Sequence, residues 1–156
     1  AQSAAAAFNP AHRLLSQVVE VAVRDGTRSR AQARADAIDL FRRLALPDPE
    51  TIGARYPHEL SGGQLQRAMI AMAMICRPDI IVFDEPTTAL DVTTQVEVLA
   101  AMRGVVEDFG TAAIYITHDL AVVAQLAHRI VVLKDGRVVE QAPTRRMLAA
   151  PAEDYT

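Results

Sequence analysis

Residues Ile80-Ile81-Val82-Phe83 form an unbroken apolar run that stops at two adjacent carboxylates, Asp84 and Glu85. A short apolar run without polar alternation reads as a strand covered on both faces, the kind found in parallel sheets. The chain before it has a different grammar. Apolar residues at 14, 15, 18, 19, 21, 22 and 23 predict a helix over 14–24, mostly buried on one side and ended by Asp25-Gly26. Ala33, Ala37, Leu40, Phe41 and Leu44 share one stripe, which predicts an amphipathic helix over 29–46, stopped by Pro47 and Pro49. Ser61 with Gln64 three residues on is a capping-box pattern that opens a further helix to Cys76, before Pro78. Beyond Phe83 the pattern predicts a helix over 93–109 closed by Gly110, a second buried strand over 112–116 and a short helix over 120–127. Arg129 to Lys134 and Arg137 to Glu140 flank Asp135-Gly136, a hairpin signature, and a last helix covers 144–150. The expected class is therefore α/β: a helical segment over 1–77, then a parallel sheet with crossover helices over 78–156, divided at Arg77-Pro78.

Composition narrows the function. The 156 residues are 51% hydrophobic, enough for a sizeable core and too many for a disordered chain. Aromatics are only 4% and much of the apolar fraction is alanine, which favours helices with small contact residues over an aromatic-rich sandwich. The net charge of −3 supplies no basic field to draw the chain to nucleic acid or anionic lipid. One cysteine, Cys76, allows neither a disulfide framework nor a multi-cysteine metal site, and fits a reducing compartment. No apolar run approaches the roughly 20 residues that span a bilayer. No secretory signal pattern opens the chain. The only lysine, Lys134, follows Leu133, so the sequence holds no Gly-Lys and no GxxxxGK[ST] phosphate loop.

Three places could carry chemistry. Asp84 and Glu85 end a strand, where ligands of open α/β sheets collect. An aspartate there can hold Mg²⁺, and the next carboxylate can orient a water for in-line attack on a phosphoryl group; the plainer reading is a turn before Pro86. Leu60-Ser61-Gly62-Gly63-Gln64 places two glycines before a helix, so that backbone N–H groups and the helix dipole can meet a phosphate from another chain. Its plainer reading is an ordinary cap with a flexible lead-in. Thr117-His118-Asp119 follows the second strand, where a histidine can contact a γ-phosphate, although such residues are often plain loop histidines. Gln2 could bind a metal or a water. His12, His58 and His128 are scattered and suggest no metal role. Cys76 reads as core, and Arg28, Arg30, Arg34, Arg42 and Arg43 read as a solvated face.

In this order the motifs resemble the ATP-binding subunits of ABC transporters. Leu60 to Gln64 looks like the family signature, Ile80 to Glu85 like Walker B with its catalytic glutamate, Ala89-Leu90-Asp91 like the D-loop, and His118 like the switch histidine. Gln2 falls where the Q-loop glutamine would be. Gln2 with Phe8-Asn9-Pro10, Tyr56-Pro57-His58-Glu59-Leu60, and Asp84 through Asp91 are similar to the dipeptide, oligopeptide and nickel importer branch. Ala4 to Ala7 and Glu153-Asp154 depart from that branch's usual pattern.

The resemblance implies the C-terminal part of a RecA-like P-loop NTPase core plus an α-helical subdomain. On this reading the chain is a piece that starts at the Q-loop and, lacking Walker A, is inactive alone. In the whole protein it implies catalytic roles for Glu85 and His118, and Mg²⁺ contacts for Asp84 and Gln2. It implies ATP contacts for Gln2, Ser61, Gly62, Gly63, Gln64 and Asp91. The implied partners are a second ATP-binding subunit, transmembrane permease subunits and, indirectly, an extracytoplasmic solute-binding protein, with no nucleic acid. The helical subdomain and the Gln2 segment would receive the permease's coupling helix at the cytoplasmic face of the cell membrane.

The main competitor is a non-transport ABC ATPase of DNA repair or chromosome maintenance. Those proteins insert a long coiled coil between Q-loop and signature, whereas here Gln2 and Ser61 lie 59 positions apart with no sustained heptads between them. A non-enzymatic interaction module is the third reading.

Overall fold

The computed structural model describes residues 4–87 and 90–156. Packing gathers the chain into two compact units, Ala1–Ile114 and Tyr115–Thr156.

The first unit is mostly helical. After α1 (Ala4–Ala7), the helix expected over 14–24 is present as α2 (Leu14–Val18) and α3 (Glu20–Arg24), interrupted at Val19. Gly26, at φ 68°, follows it in the left-handed region that asparagine and glycine tolerate best. α4 (Arg30–Arg43) starts at Ser29, whose hydroxyl accepts from Gln32 N–H while Gln32 Oε1 accepts from Ser29 N–H at 3.0 Å. Two 3₁₀ turns, Ile52–Ala54 and Pro57–Glu59, lead to α5 (Gly62–Met74). The buried side of this bundle is built from small and branched residues. Ala22, Ala33, Ala37, Ala68 and Ala71 are fully buried beside Leu14, Val18, Phe41, Leu44 and Ile52. Alanines at the contacts let the helix axes approach closely, and Phe41 fills the space that remains. Gly53 belongs to this packing, since a Cβ there would stand 2.8 Å from Leu15 Cβ.

β1 (Ile80–Asp84) and β2 (Ala112–Ile116) form a parallel two-stranded sheet joined through α6 (Val92–Phe109). Asp91 caps α6, and Gly110 ends it at φ 63°. Thr111 and Ala112 fix the start of β2: the Thr111 hydroxyl donates to Pro78 O (3.0 Å) and Ala112 N–H to Asp79 O (2.9 Å). The expectation of strands buried on both faces is corrected here. In β1, Ile81 and Phe83 are buried, but Ile80 is 61% and Val82 56% exposed. Ile114 and Ile116 of β2 are likewise about half exposed. An all-apolar run demands two covered faces, and the described residues cover one. Cys76 is a second correction. It lies past the end of α5 and is exposed rather than core.

The second unit holds α7 (Leu120–Leu126), the hairpin β3 (Arg129–Lys134) and β4 (Arg137–Pro143), and α8 (Thr144–Ala149). Lys134 pairs with Arg137 across Asp135-Gly136, whose φ values of 48° and 73° are those of a two-residue primed turn. The register slips between Val132 and Leu133. Ile130, Ala142 and Met147 form its small core.

Candidate functional site

Ser61 is the hinge between an extended segment and α5. Its φ and ψ of −69° and 162° leave the helical region, which frees its side chain to fold back over the first turn. Gln64 N–H donates to Ser61 Oγ (3.3 Å), and Ser61 N–H donates to Gln64 Oε1 (3.0 Å). The expected capping box is therefore formed, and both side chains are occupied within it.

The two glycines behind Ser61 differ. Gly62 is exposed, and a Cβ there would meet only Leu90 Cδ2 at 3.7 Å, an ordinary contact. Gly63 is buried, and a Cβ there would collide with Thr94 Cγ2 on the first turn of α6. One glycine is thus needed for close helix packing, and only Gly62 is left to present open backbone.

The start of α6 is pinned in turn. Asp91 accepts Thr94 N–H (3.0 Å) and the Thr94 hydroxyl (2.7 Å). The Thr94 amide, then its hydroxyl, hold the Asp91 carboxyl below its usual range. The N-termini of α5 and α6 therefore meet, and this brings together Ser61, Gly62, Gly63, Gln64 and Asp91.

Asp84 and Glu85 occupy the end of β1. Asp84 is exposed and Glu85 half-buried. Glu85 has φ 46°, a left-handed conformation that a non-glycine residue holds at a cost of order 1 kcal/mol. Strain of this kind persists where the surroundings impose it and often marks functional corners. Pro86, buried, follows directly.

His118 belongs to the second unit and is exposed two residues after β2. Asp119 beside it caps α7, accepting Ala121 N–H at 2.8 Å and Val122 N–H at 3.4 Å, while its own N–H donates to Thr117 Oγ1 at 3.1 Å. Gln2 lies outside the described residues, as do Thr88 and Ala89 of the stretch before Asp91.

Three features escaped the sequence reading. A cleft of about 510 Å³ lies away from all these residues, between α2, α4 and the loop around Gly53. Leu15, Val19, Ile38, Phe41, Arg30 and Arg34 are among the residues that line it. The arginines in and just before α4 are not merely solvated. Arg28 pairs with Asp36 (3.0 Å), Arg42 with Glu50 (2.7 Å), and Arg43 with both Asp39 (2.7 Å) and Asp108 of α6 (2.6 Å). Phe109 is flanked by two guanidinium groups, Arg43 at 5.6 Å and Arg77 at 4.9 Å from its ring centre. The third is Arg67, a mostly buried cation inside α5 whose isolation in an apolar helix was the available signal.

A family profile described as ABC transporter matches residues 3–88. The chain is 44% identical over 149 residues to a Probable peptide ABC transporter ATP-binding protein of Sinorhizobium fredii, covering 96% of this chain and 44% of that protein. It is 44% identical over 150 residues to the Probable D,D-dipeptide transport ATP-binding protein of Escherichia coli K12, covering 96% of this chain and 46% of that one. The glutathione import ATP-binding protein of Escherichia coli K12 is 40% identical over 149 residues, 96% of this chain and 24% of its own length. The chain thus spans less than half the length of these relatives. Among solved structures it resembles a dimeric ATP-binding cassette in a post-hydrolysis state bound to ADP and Pi, with TM-score 0.74 and 31% identity over 88% of this chain and 59% of that one.

Proposed function

The chain belongs to the ABC transporter family, and on that premise we propose that it is part of the ATP-binding subunit of an importer, which couples ATP binding and hydrolysis to uptake of a peptide or another small solute. The observation that carries this reading is the corner at the end of β1. An exposed carboxylate, Asp84, precedes a second, Glu85, held in a strained left-handed conformation. Two adjacent carboxylates at a strand end suit phosphoryl transfer, in which the protein supplies positioning and electrostatics rather than covalent chemistry.

The roles divide as follows. Asp84 offers the hard oxygen donor that Mg²⁺ takes alongside phosphate oxygens. When bound, that ion neutralises charge on the transferring phosphoryl group. Glu85 accepts a hydrogen bond from the attacking water and orients it. His118 takes a γ-phosphate contact, Gln2 is a further nucleotide and metal contact, and Asp91 acts with Ser61 and Gly62 at the start of α6. Ser61 and the exposed backbone at Gly62 act on a nucleotide held by a second ATP-binding subunit, identical or related, because a helix N-terminus with an open approach favours an anion. Gly63 and Gln64 hold that turn in shape. The 156 residues contain no GxxxxGK[ST], so ATP bound to the same subunit needs phosphate donors from outside this sequence. Residues 1–77 are the Q-loop segment and helical subdomain, and 78–156 part of the RecA-like core. The 510 Å³ cleft in the helical part is a docking place for a permease segment at the cytoplasmic membrane face. No helix among the described residues is long and apolar enough to cross a membrane. A solute-binding protein then selects the cargo outside the membrane.

The test is uptake of a radiolabelled dipeptide by cells whose gene for this subunit is deleted. The wild-type gene restores uptake and Ser61→Arg does not, because the long cation fills the approach to the turn. Uptake that is unaffected by the deletion would remove the peptide-importer reading.

A further inference from the structure

We propose that Arg67 is a positioning residue for the Ser61–Gly63 turn, locking the first turn of α5 to the end of α4 and to α6; this rests on the reading of that turn as the part that acts on a partner's nucleotide. Arg67 lies on α5, and its side chain is only 11% exposed. Its three nitrogens go to three different elements. Nε donates to Gly63 O within the first turn of α5 (3.4 Å). Nη1 donates to Ala45 O at the end of α4 (3.0 Å). Nη2 pairs with Glu97 Oε2 on α6 (3.5 Å).

The planar guanidinium has fixed donor directions, so one group fixes three acceptors relative to one another. The three acceptors stand at junctions between the helices. Ala45 sits at φ 51° just past α4, where helix carbonyls lack intrahelical partners and the macrodipole is negative. Gly63 sits where a Cβ would strike Thr94, so its place is set by contact with α6. Glu97 is one helical turn from Thr94 on that same helix. The Gly63–Thr94 contact and the Arg67–Glu97 pair are two points of attachment between α5 and α6, and two points fix an orientation where one fixes only a distance. The pose of Ser61 and Gly62 follows from that orientation. A salt bridge to the half-exposed Glu97 alone would be weak; it is the combination with two backbone carbonyls that restrains the turn.

The experiment uses the ATPase subunit that carries this sequence, with Arg67→Met and Arg67→Lys. Methionine keeps most of the buried stem, and lysine keeps the charge but not the fork. The readouts are ADP affinity, kcat and ATP-dependent dimerisation. For Arg67→Met we expect ADP affinity within about twofold of wild type, because ADP is held by the subunit's own phosphate loop. We expect kcat to fall by roughly tenfold to a hundredfold, the scale for misplaced groups remote from the chemistry, with ATP-dependent dimers weakened in step. Arg67→Lys should recover less than half of the lost kcat. A merely structural role would lower ADP affinity and kcat together; that result, or an unchanged kcat, overturns the proposal. Ser61→Arg in the same assays separates the two claims. If Ser61→Arg abolishes dimers while Arg67→Met changes nothing, only the role of Arg67 fails. If Ser61→Arg is also silent, the reading of the turn itself fails.

Discussion

Replacing Gly63 by alanine probes the contact on which the geometry of the turn depends. The new Cβ would collide with Thr94 Cγ2. Thr94 has little room to yield, because its N–H and hydroxyl are both held by Asp91, at 3.0 and 2.7 Å. Gly→Ala inside a helix gains up to about 1 kcal/mol of propensity, and less in the first turn. Overpacking costs about 1–3 kcal/mol, and turning Thr94 aside breaks its bonds to the exposed Asp91 carboxylate. The net expectation is a loss of about 1–2 kcal/mol. Gly62→Ala meets only Leu90 at 3.7 Å and should stay within about 0.5 kcal/mol of wild type.

Urea unfolding of the 156-residue chain by circular dichroism reads both, provided the m-value does not change. Thr94→Ser supplies the control. It removes Cγ2 and keeps both bonds to Asp91, so Gly63→Ala should become nearly neutral in that background, giving a coupling of about 1–2 kcal/mol. Equal costs for Gly63→Ala in the two backgrounds, or equal costs at positions 62 and 63, would refute the packing argument.

Three further outcomes are expected. Phe41→Ala empties a fully buried site between alanine-faced helices and should cost about 3–5 kcal/mol in urea unfolding; a loss under about 1 kcal/mol would mean that Phe41 is not central to the core. In the second unit, Glu140 accepts Ala152 N–H (2.9 Å) and Glu153 N–H (3.2 Å), and the Ala152 bond above all keeps its carboxyl below the usual range. A depressed folded-state pKa means that this anchoring is complete above the unfolded-state value and is lost as pH falls through the folded one. The amide resonances of Ala152 and Glu153 should therefore shift together in that acid window, and a Glu140 carboxyl titrating at its ordinary value without moving them would contradict it. Calorimetry of the 156 residues with ATP and Mg²⁺ should show no binding at micromolar concentration, since a few hydrogen bonds of about 1 kcal/mol each fall far short of the roughly 8 kcal/mol required; a low micromolar dissociation constant would contradict the assignment of the phosphate donors to residues outside this sequence.

Punctuation in the sequence translated directly into structure. Ser61 with Gln64 became a closed capping box, Asp135-Gly136 a primed turn, and Gly110 a left-handed helix end, because each depends on local backbone chemistry. What depends on distant residues was not legible. The two glycines look alike in sequence, and only the position of Thr94, about thirty residues further on, distinguishes them. The apolar runs of β1 and β2 marked strands correctly, but an apolar side chain does not reveal whether anything covers it, and Ile80 and Val82 turned out exposed. Cys76 reads as core in the sequence yet is exposed for a similar reason: α5 ends at Met74, so the apolar stripe stops before the cysteine. Arg67 was visible as a lone cation in an apolar helix, yet its three acceptors come from the loop just past α4, from α5 and from α6 and had no common signature in the sequence.

The role of Glu85 is tested most directly by Glu85→Gln in the ATPase subunit that carries this sequence, with ATP affinity and steady-state hydrolysis measured on the same preparation. Glutamine keeps the shape of the side chain at the β1 corner and removes the charge that orients water. ATP affinity should stay within about threefold, and turnover should fall by at least about 100-fold, the lower end for a lost general base. Turnover near the wild-type rate would contradict the catalytic role of Glu85 and with it the phosphoryl-transfer reading of the Asp84-Glu85 corner.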